Sequence, residues 1–276
     1  MVKVVAARVR LPVFSVAHPE SFQVLSALPV PQPSSLVGAL AYALGVSTGK
    51  GTKAWEEAFD LVRHGRLLAA RAKPGGGRGF DPPLIPSPTV VRRFRVADKG
   101  HESKKKGEKK PVEKLVELAG SGGWEEVKRI VEIELTDAFY REYVMGVDLF
   151  CVWVFQKFDL DERVVGLVHR LGDTESLCTV VDLYSTEAPV ERTSVVTTSF
   201  PAPWFEGARV LEGTYLPAKM CDEARRLGLF IVPLKYEIER RGRFRYPAIR
   251  ESIVKIDYGR EVNVCRTDWG DVVLGG

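Results

Sequence analysis

Hydrophobic and polar residues alternate at the start of the chain and then change to a helical spacing. Residues 2–10 alternate, which predicts a strand, whereas apolar residues three and four positions apart at 34–44 predict a short helix. Prolines at 29, 31 and 33 stiffen the loop between them, and Ser34 or Ser35 is the expected N-cap of the helix. Gly45 is its expected end, because glycine readily adopts the left-handed conformation that closes a helix.

The pattern in the rest of the chain predicts further strands and helices around one long irregular segment. Residues 73–123 are rich in Gly, Pro and Lys and contain one predicted helix at 112–119, so we expect them to leave the domain as a long excursion. The other predicted helices lie at 55–62 and 161–171, and the predicted strands at 66–72, 127–135, 147–155 and 177–184. Residues 234–239 and 244–250 are expected to form a hairpin with a basic tip.

This succession of elements is that of an α+β protein, a ferredoxin-like (RNA-recognition-motif-like) domain with an inserted basic arm. The domain is expected to span 1–200, with the arm at about 73–126, and 201–276 to form a smaller β-rich C-terminal region. A length of 276 residues and a hydrophobic content of 45% are ample for such a core.

The composition indicates the cellular compartment of the protein and the state of its cysteines. The apolar runs are too short to cross a bilayer and the first residues lack a signal-peptide core, so we expect a cytoplasmic protein without a membrane contact. Four widely spaced cysteines without a Cys-x-x-Cys pair indicate buried thiols, and neither a zinc cluster nor a disulfide framework. A single asparagine and three glutamines beside abundant Arg, Glu and Val are typical of a thermophilic source.

The net charge of +4 is concentrated in two windows. Residues 92–110 carry nine Lys and Arg against three Asp and Glu, and residues 235–250 carry six against two, while the remainder of the chain is negative. Such windows are candidate contacts for a phosphate backbone, although the lysine run at 104–110 alone is more typical of a solvated loop. The sequences Arg92-Arg-Phe-Arg95 and Arg243-Phe-Arg-Tyr246 place an aromatic ring between guanidinium groups, which favours contact with bases and phosphates.

Motifs of nucleotide-dependent and hydrolytic enzymes are incomplete or missing from the sequence. Gly45-Val-Ser-Thr-Gly-Lys50 is one residue short of a phosphate-binding loop, has Gly51 where the magnesium-binding hydroxyl belongs, and follows a predicted helix, which argues against an ATPase. The glycine run at 75–79 leads into Asp81 and two prolines and indicates a linker. We find no esterase, zinc-protease or deaminase motif, so neither a cofactor nor a metal site is expected.

The first strand, the proline loop and the small-residue helix resemble the N-terminal signature of the CRISPR-associated RAMP superfamily, in particular its Cas-five branch of archaeal type I-A character. That signature reads Pro-x-Ser-x-Leu-x-Gly-x-Leu-x-x-x-Leu-Gly, and Pro33, Ser35, Val37, Ala39 and Gly45 follow it with small shifts. The order of elements strengthens the resemblance, because in this family an inserted arm, called a thumb, leaves the core domain to grip guide RNA.

The resemblance implies a non-catalytic subunit of a type I CRISPR Cascade complex, which binds the 5′ handle of the guide RNA (crRNA) and caps the backbone of the complex in antiviral defence. The implied partners are crRNA, the backbone subunit and the large subunit that recognises target DNA, so contact with target DNA would be indirect. Residues 169–176 take the place of the family's glycine-rich loop but contain a single glycine.

The candidate RNA-binding residues fall into three groups, on the arm, on the core-domain surface and at the hairpin tip. They are Arg92, Arg93, Phe94, Arg95, Lys104 and Lys105 on the arm, Ser34, Ser35, His169 and Arg170 on the core-domain surface, and Arg241 and Arg243 at the tip.

Two other functions stay open. Some relatives process repeat RNA without metal by means of a histidine, a lysine and a tyrosine, and His18, with Tyr42 and Lys50 nearby in sequence, is the candidate general acid or base. A loop or packing role is the commoner one for such a histidine. The remaining alternative is a protein-interaction subunit of a type III-like CRISPR complex, whose basic arm binds acidic protein.

Overall fold

A computed structural model describes residues 1–21, 24–75, 83–95, 99–101, 109–146, 148–156, 161–173 and 176–274. The helices are α1 (Pro33–Thr48), α2 (Lys53–Arg63), α3 (Pro111–Gly120) and α4 (Trp124–Arg129), with 3₁₀ turns at Lys99–His101 and Glu162–Leu167 and a π-helical turn at Ile130–Glu134. The strands are β1 (Val2–Arg10), β2 (Val13–Phe14), β3 (Val24–Leu25), β4 (Leu67–Pro74), β5 (Ile85–Phe94), β6 (Thr136–Met145), β7 (Asp148–Phe155), β8 (Thr179–Ala188), β9 (Val190–Thr198), β10 (Ala202–Pro203), β11 (Arg209–Glu212), β12 (Leu216–Cys221), β13 (Leu227–Val232), β14 (Leu234–Arg241), β15 (Phe244–Glu251), β16 (Val254–Cys265) and β17 (Val272–Val273). The predicted mixture of helices and strands is confirmed.

A four-stranded antiparallel sheet in the order β4-β7-β1-β8 forms the centre of the larger part of the molecule. β1 pairs with β7 on one side and with β8 on the other over nearly its whole length. β4 pairs with the outer edge of β7. Six of the nine residues of β1 and seven of the eight residues of β7 are buried, so the two central strands are covered on both faces.

Helix α1 covers one face of this sheet. Leu36, Leu40 and Leu44 lie on its buried side and share a core with strand residues such as Val5. The indole N–H of Trp153, on β7, donates a hydrogen bond to the carbonyl oxygen of Leu36 at 3.2 Å. The apolar stripe and this buried hydrogen bond together fix the start of α1 against the sheet.

Residues from the C-terminal part of the chain cover the opposite face. Val4 and Val152 of the central strands share a core with Phe200, Cys265 and Leu274. An RNA-recognition motif stacks bases on aromatic residues of an open sheet face. Here the chain itself covers that face, so the face is not available for the stacking of bases.

The C-terminal strands form smaller antiparallel sheets. β16 pairs with β9, β11 and β17, and β13 lies between β10 and β12. β14 and β15 pair from Leu234 with Glu251 to Arg241 with Phe244, which confirms the predicted hairpin. None of the described helices is long and apolar enough to span a bilayer.

The described contacts divide the chain into two units. The larger contains residues 1–21, 26–87 and 142–276, and the smaller contains 22–25 and 88–141. The smaller unit holds α3 and α4, and in it β6 pairs with β5 and, in parallel, with β3. The arm at 73–126 and the division near residue 200 stay predictions.

Two predicted elements are wrong. Residues 127–135 form part of α4 and the π-helical turn instead of a strand, because Val127, Ile130 and Val131 also satisfy helical spacing. The predicted helix at 161–171 is reduced to the short turn at Glu162–Leu167, which contains Gly166, a poor helix former. Residue 147, the predicted start of a strand, lies outside the described residues, and β7 begins at Asp148.

Candidate nucleic-acid interface

The proline loop leads directly into α1. Gln32 is the N-cap residue, and Pro33 takes the first helical position, where its missing N–H and fixed φ are tolerated. Ser34 and Ser35 therefore lie half-buried inside the first turn, so their prediction as N-caps is wrong. The Gln32 side chain instead accepts the backbone N–H of Cys221 at 2.8 Å, which leaves the first turn of α1 without a side-chain cap.

The end of α1 also differs from the prediction. The helix continues past Gly45 and ends at Gly49, which has φ +66°. A Cβ added to Gly45 would lie 3.2 Å from the carbonyl oxygen of Gly51 and 3.5 Å from Cβ of Ala54. The glycine at 45 thus permits close packing of α1 on the start of α2, and the glycine at 49 closes the helix.

A cavity of about 260 Å³ lies beside the first turns of α1. Its lining comprises Ser34, Ser35, Gly38, Ala39, Tyr42, Trp55, Arg170, Gly172 and Arg225. The ring of His169 meets that of Tyr42 edge-on, with centroids 4.5 Å apart. Of the four residues predicted for the core-domain surface, Ser34, Ser35 and Arg170 line this cavity. His169 does not line it but packs on Tyr42, which does. Among the described residues its lining contains two arginines and no carboxylate.

The loop that carries His169 and Arg170 is held by hydrogen bonds to the backbone of Ser15. Asp173 N–H donates to the carbonyl oxygen of Ser15 at 2.9 Å, and Ser15 N–H donates to the hydroxyl of Ser176 at 3.1 Å. Its single glycine, Gly172, has φ +110°, and a Cβ there would lie 2.9 Å from the Ser15 carbonyl oxygen. Glycine is favoured at position 172 because this position combines a positive φ with a close approach to the backbone.

Trp55 and Arg225 are cavity residues that the sequence did not identify as functional. Arg225 stacks on the ring of Trp55, with its Cζ atom 4.3 Å from the ring centroid. They are far apart in the sequence, and neither stands in a motif, so no local signal could have paired them.

The side chains of most of the predicted arm residues lie outside the described part of the structure. Arg92, Arg93 and Phe94 lie on β5, but their side chains are outside the described residues, as are Lys104 and Lys105. Their RNA contacts stay predictions.

Arg95 is bound within the smaller unit. Its N–H donates to the carbonyl oxygen of Leu135 at 2.8 Å, and its Nη1 donates to the carboxylate of Asp137 at 3.0 Å. Lys99 bonds the other oxygen of the same carboxylate. The hydrogen bond from Lys99 lowers the pKa of Asp137 most, and the hydrogen bond from Arg95 lowers it further. Part of the charge of Arg95 is thus compensated inside the protein.

The tip of the β14–β15 hairpin is basic and exposed. Gly242, with φ +61°, and Arg243 form the turn between the paired residues Arg241 and Phe244. The side chains of Arg241 and Arg243 are exposed, and Phe244 is 79% exposed. The tip therefore presents guanidinium groups and an aromatic ring to solvent.

The residues of the nuclease alternative are engaged with different partners. Nδ1 of His18 accepts the backbone N–H two residues further on at 3.3 Å. Lys50 donates to the carboxylate of Glu57 at 2.5 Å, while Tyr42 packs on His169. These contacts do not gather His18, Tyr42 and Lys50 around a common substrate position.

The thiols do not form a reactive or metal-binding cluster in the described part of the chain. No group of three or more metal-ligating side chains is found there. Burial raises the pKa of Cys178 to about 12 and that of Cys265 to about 11. Both thiols are therefore protonated at neutral pH and are poor nucleophiles.

Comparison with known proteins gives two curated relatives. The chain is 29% identical over 238 residues to the CRISPR-associated protein Cas5 of Thermoproteus tenax, covering 84% of this chain and 87% of the relative. It is 27% identical over 206 residues to the CRISPR-associated protein Cas5 of Methanocaldococcus jannaschii, covering 71% of this chain and 69% of the relative. No family model matches the chain.

A solved structure shares the fold. A CRISPR protein from Archaeoglobus fulgidus superposes with a TM-score of 0.57 at 16% identity, covering 99% of this chain and 98% of that one. The resemblance to the Cas5 family seen in the sequence is confirmed by the curated relatives.

Proposed function

Because the chain is homologous to curated Cas5 proteins, we propose that it is a non-catalytic RNA-binding subunit of a type I CRISPR Cascade complex. It binds the 5′ handle of crRNA and caps the backbone of the complex, with the backbone subunit and the large subunit as its protein partners. The strand order β4-β7-β1-β8, with all neighbours antiparallel, supports a ferredoxin-like description of the central domain.

The observation that carries this function is the cavity beside α1. Ser34, Ser35 and Arg170 come from separate parts of the chain and line one cavity without a carboxylate among its described residues. The cavity adjoins the N-terminal turn of a 16-residue helix that has no acidic residue in that turn. Hydroxyl donors, an arginine and the positive end of a helix together favour a phosphate group.

The covered sheet supports the same assignment. An open aromatic sheet face would compete as the RNA site, but residues such as Phe200 and Leu274 close it. The surfaces left for RNA are the cavity beside α1, the basic arm and the hairpin tip with Arg241 and Arg243.

The first test incubates the purified protein with labelled CRISPR repeat RNA and with an unrelated RNA of equal length, in the absence of divalent metal. We expect tighter binding of the repeat RNA and no cleavage. A discrete cut in the repeat would instead support the metal-independent nuclease, with His18 as the first residue to substitute. Absence of both binding and cleavage would contradict RNA binding by the isolated subunit.

Variants then locate the contacts. Arg170→Ala should weaken repeat binding about tenfold and reduce the slope of log K against log salt by about 0.7, the value for one phosphate contact on a single strand. The double variant at Arg92 and Arg93 should reduce the slope by about twice that amount. Arg192, which is 71% exposed and pairs with Glu261 at 3.2 Å, supplies the matched control Arg192→Ala. If all three variants bind and respond to salt alike, these contacts are wrong.

A further inference from the structure

Arg225 has an unusual backbone conformation. It lies in the loop between β12 and β13, and its N–H donates to the carbonyl oxygen of Asp222 at 3.0 Å. Its φ is +64°, and no other non-glycine residue in the described part of the chain has a positive φ. Hairpin loops usually place glycine at such a position because a Cβ is unfavourable there. Arg225 thus has a long side chain at a position where the backbone conformation favours glycine.

Two aromatic rings of α2 hold that side chain. Cζ of Arg225 lies 4.3 Å from the ring centroid of Trp55 and 4.7 Å from that of Phe59. The two rings are themselves 4.9 Å apart at 70°. Stacking on aromatic faces covers the flat side of a guanidinium group but leaves N–H donors at its edge available, and it restricts the side chain before a ligand arrives.

Two neighbouring arginines, Arg226 and Arg63, each form an ion pair with a carboxylate. Arg226 donates through Nε to Asp222 at 2.9 Å, and Arg63 lies 3.5 Å from Asp60. Arg225 has no carboxylate partner among the residues that the structure describes. Arg225 lines the cavity that contains Ser34, Ser35 and Arg170, and it also borders a second cavity, of about 670 Å³, whose lining includes Glu56. At the first cavity its charge meets no carboxylate in the described lining.

We propose that Arg225, held flat on Trp55, contacts a backbone phosphate of the RNA strand that occupies the cavity beside α1, next to the phosphate bound by Arg170. This assignment rests on the proposed RNA-binding function. It adds a contact from a loop far from α1 in the sequence, with Trp55 as the residue that positions it.

The test uses Arg225→Gly in the full chain, with repeat RNA as the probe. Glycine accepts the positive φ, so this variant should keep the melting temperature of the wild type while it loses the guanidinium group. We expect about tenfold weaker binding and a salt slope reduced by about 0.7. Arg225→Lys keeps the charge but not the planar stack, so it should keep the salt slope and lose part of the affinity.

A chemical substitution in the RNA identifies the phosphate. Each phosphate of the repeat is replaced in turn by an uncharged methylphosphonate, and each RNA is tested with the wild type and with Arg225→Gly. At one phosphate position, the loss of binding free energy caused by the methylphosphonate and the loss caused by Arg225→Gly should not add, because both remove the same contact.

Three results separate the two hypotheses. Wild-type binding together with unchanged affinity and salt slope in Arg225→Gly overturns the role of Arg225 and leaves the proposed function standing. Additive losses at every phosphate position also overturn it, because Arg225 would then act through packing or through a protein partner. If the wild type does not bind the repeat, the RNA-binding function itself fails, and this inference with it.

Discussion

Removal of one carboxylate, in Glu223→Ala, should cause a large loss of stability. Glu223 lies in the loop that also carries Arg225, and its carboxylate bonds Nη1 of Arg71 on β4. The exposed fractions of the two side chains are 1% for Arg71 and 8% for Glu223. The same carboxylate oxygen accepts the backbone N–H of Ala70 at 2.7 Å. The substitution therefore leaves a buried guanidinium charge and a buried N–H without their acceptor.

The magnitude follows from the burial of the pair. Breaking a buried ion pair from one side costs about 3–5 kcal/mol in the free energy of unfolding, because the remaining charge stays desolvated. Arg71 keeps only carbonyl partners, at 2.8 Å on Ala70 and 3.3 Å on Val273, which cannot neutralise it. Glu223→Gln preserves an acceptor for the Ala70 N–H. It should therefore lower the free energy of unfolding by a smaller amount, about 2 kcal/mol.

A double substitution separates the charge from the packing. Arg71→Leu with Glu223→Leu removes both charges, and apolar replacement of a buried pair is often nearly neutral. We expect it to be more stable than Glu223→Ala by about 2 kcal/mol, despite the unsatisfied N–H of Ala70.

The assay is urea unfolding at pH 7, followed by tryptophan fluorescence, with the midpoint and the m-value fitted for each variant. A loss below about 1 kcal/mol in Glu223→Ala would refute the reasoning, because it would place the pair in contact with water. A double variant as unstable as the single one would show that packing, and not the uncompensated charge, dominates.

Two further predictions concern a glycine and a thiol. Gly172→Ala should lower stability by about 1–3 kcal/mol in urea unfolding, because the φ of +110° and the nearby Ser15 carbonyl oxygen leave no room for a Cβ. Gly166→Ala, where a Cβ meets nothing within 4 Å, is the matched control, and equal effects would contradict the steric explanation. An aromatic disulfide reagent at pH 8 should label Cys221 alone in the folded protein, since the other three thiols are buried. Stoichiometric labelling of Cys178 before unfolding would contradict that burial.

Several parts of the fold are predictable because their signal is local. β1, α1, α2 and the β14–β15 hairpin follow from periodicity and turn residues over short windows. The β-branched residues at 127–135 favour a strand on average, but the spacing of Val127, Ile130 and Val131 fits a helix equally well, and the structure is helical there. At Gly45, packing against α2 decides its role, and packing partners are not visible in a single segment.

The residues of the candidate site also fall into those that the sequence predicts and those that it does not. The family resemblance predicts Ser34, Ser35, His169 and Arg170. The structure places three of them in the lining of one cavity, and His169 against Tyr42 of that lining. The contribution of Arg225 depends on a positive φ and on contacts with α2, which only tertiary structure brings about. Sequence reasoning thus reaches residues that belong to motifs but not residues recruited by long-range packing.

The covering of the central sheet by Phe200, Cys265 and Leu274 sets the order in which the chain can fold during synthesis. β1 is synthesised well before β7 and β8, its two neighbours in the sheet, and Leu274 follows later still. Until then an apolar strand has two unpaired edges and an uncovered face, which promotes aggregation. Because the residues that cover the sheet lie far from β1 in the sequence, the fold has a high contact order, which slows folding. The central sheet can therefore be closed on both faces only after residue 274 has been synthesised.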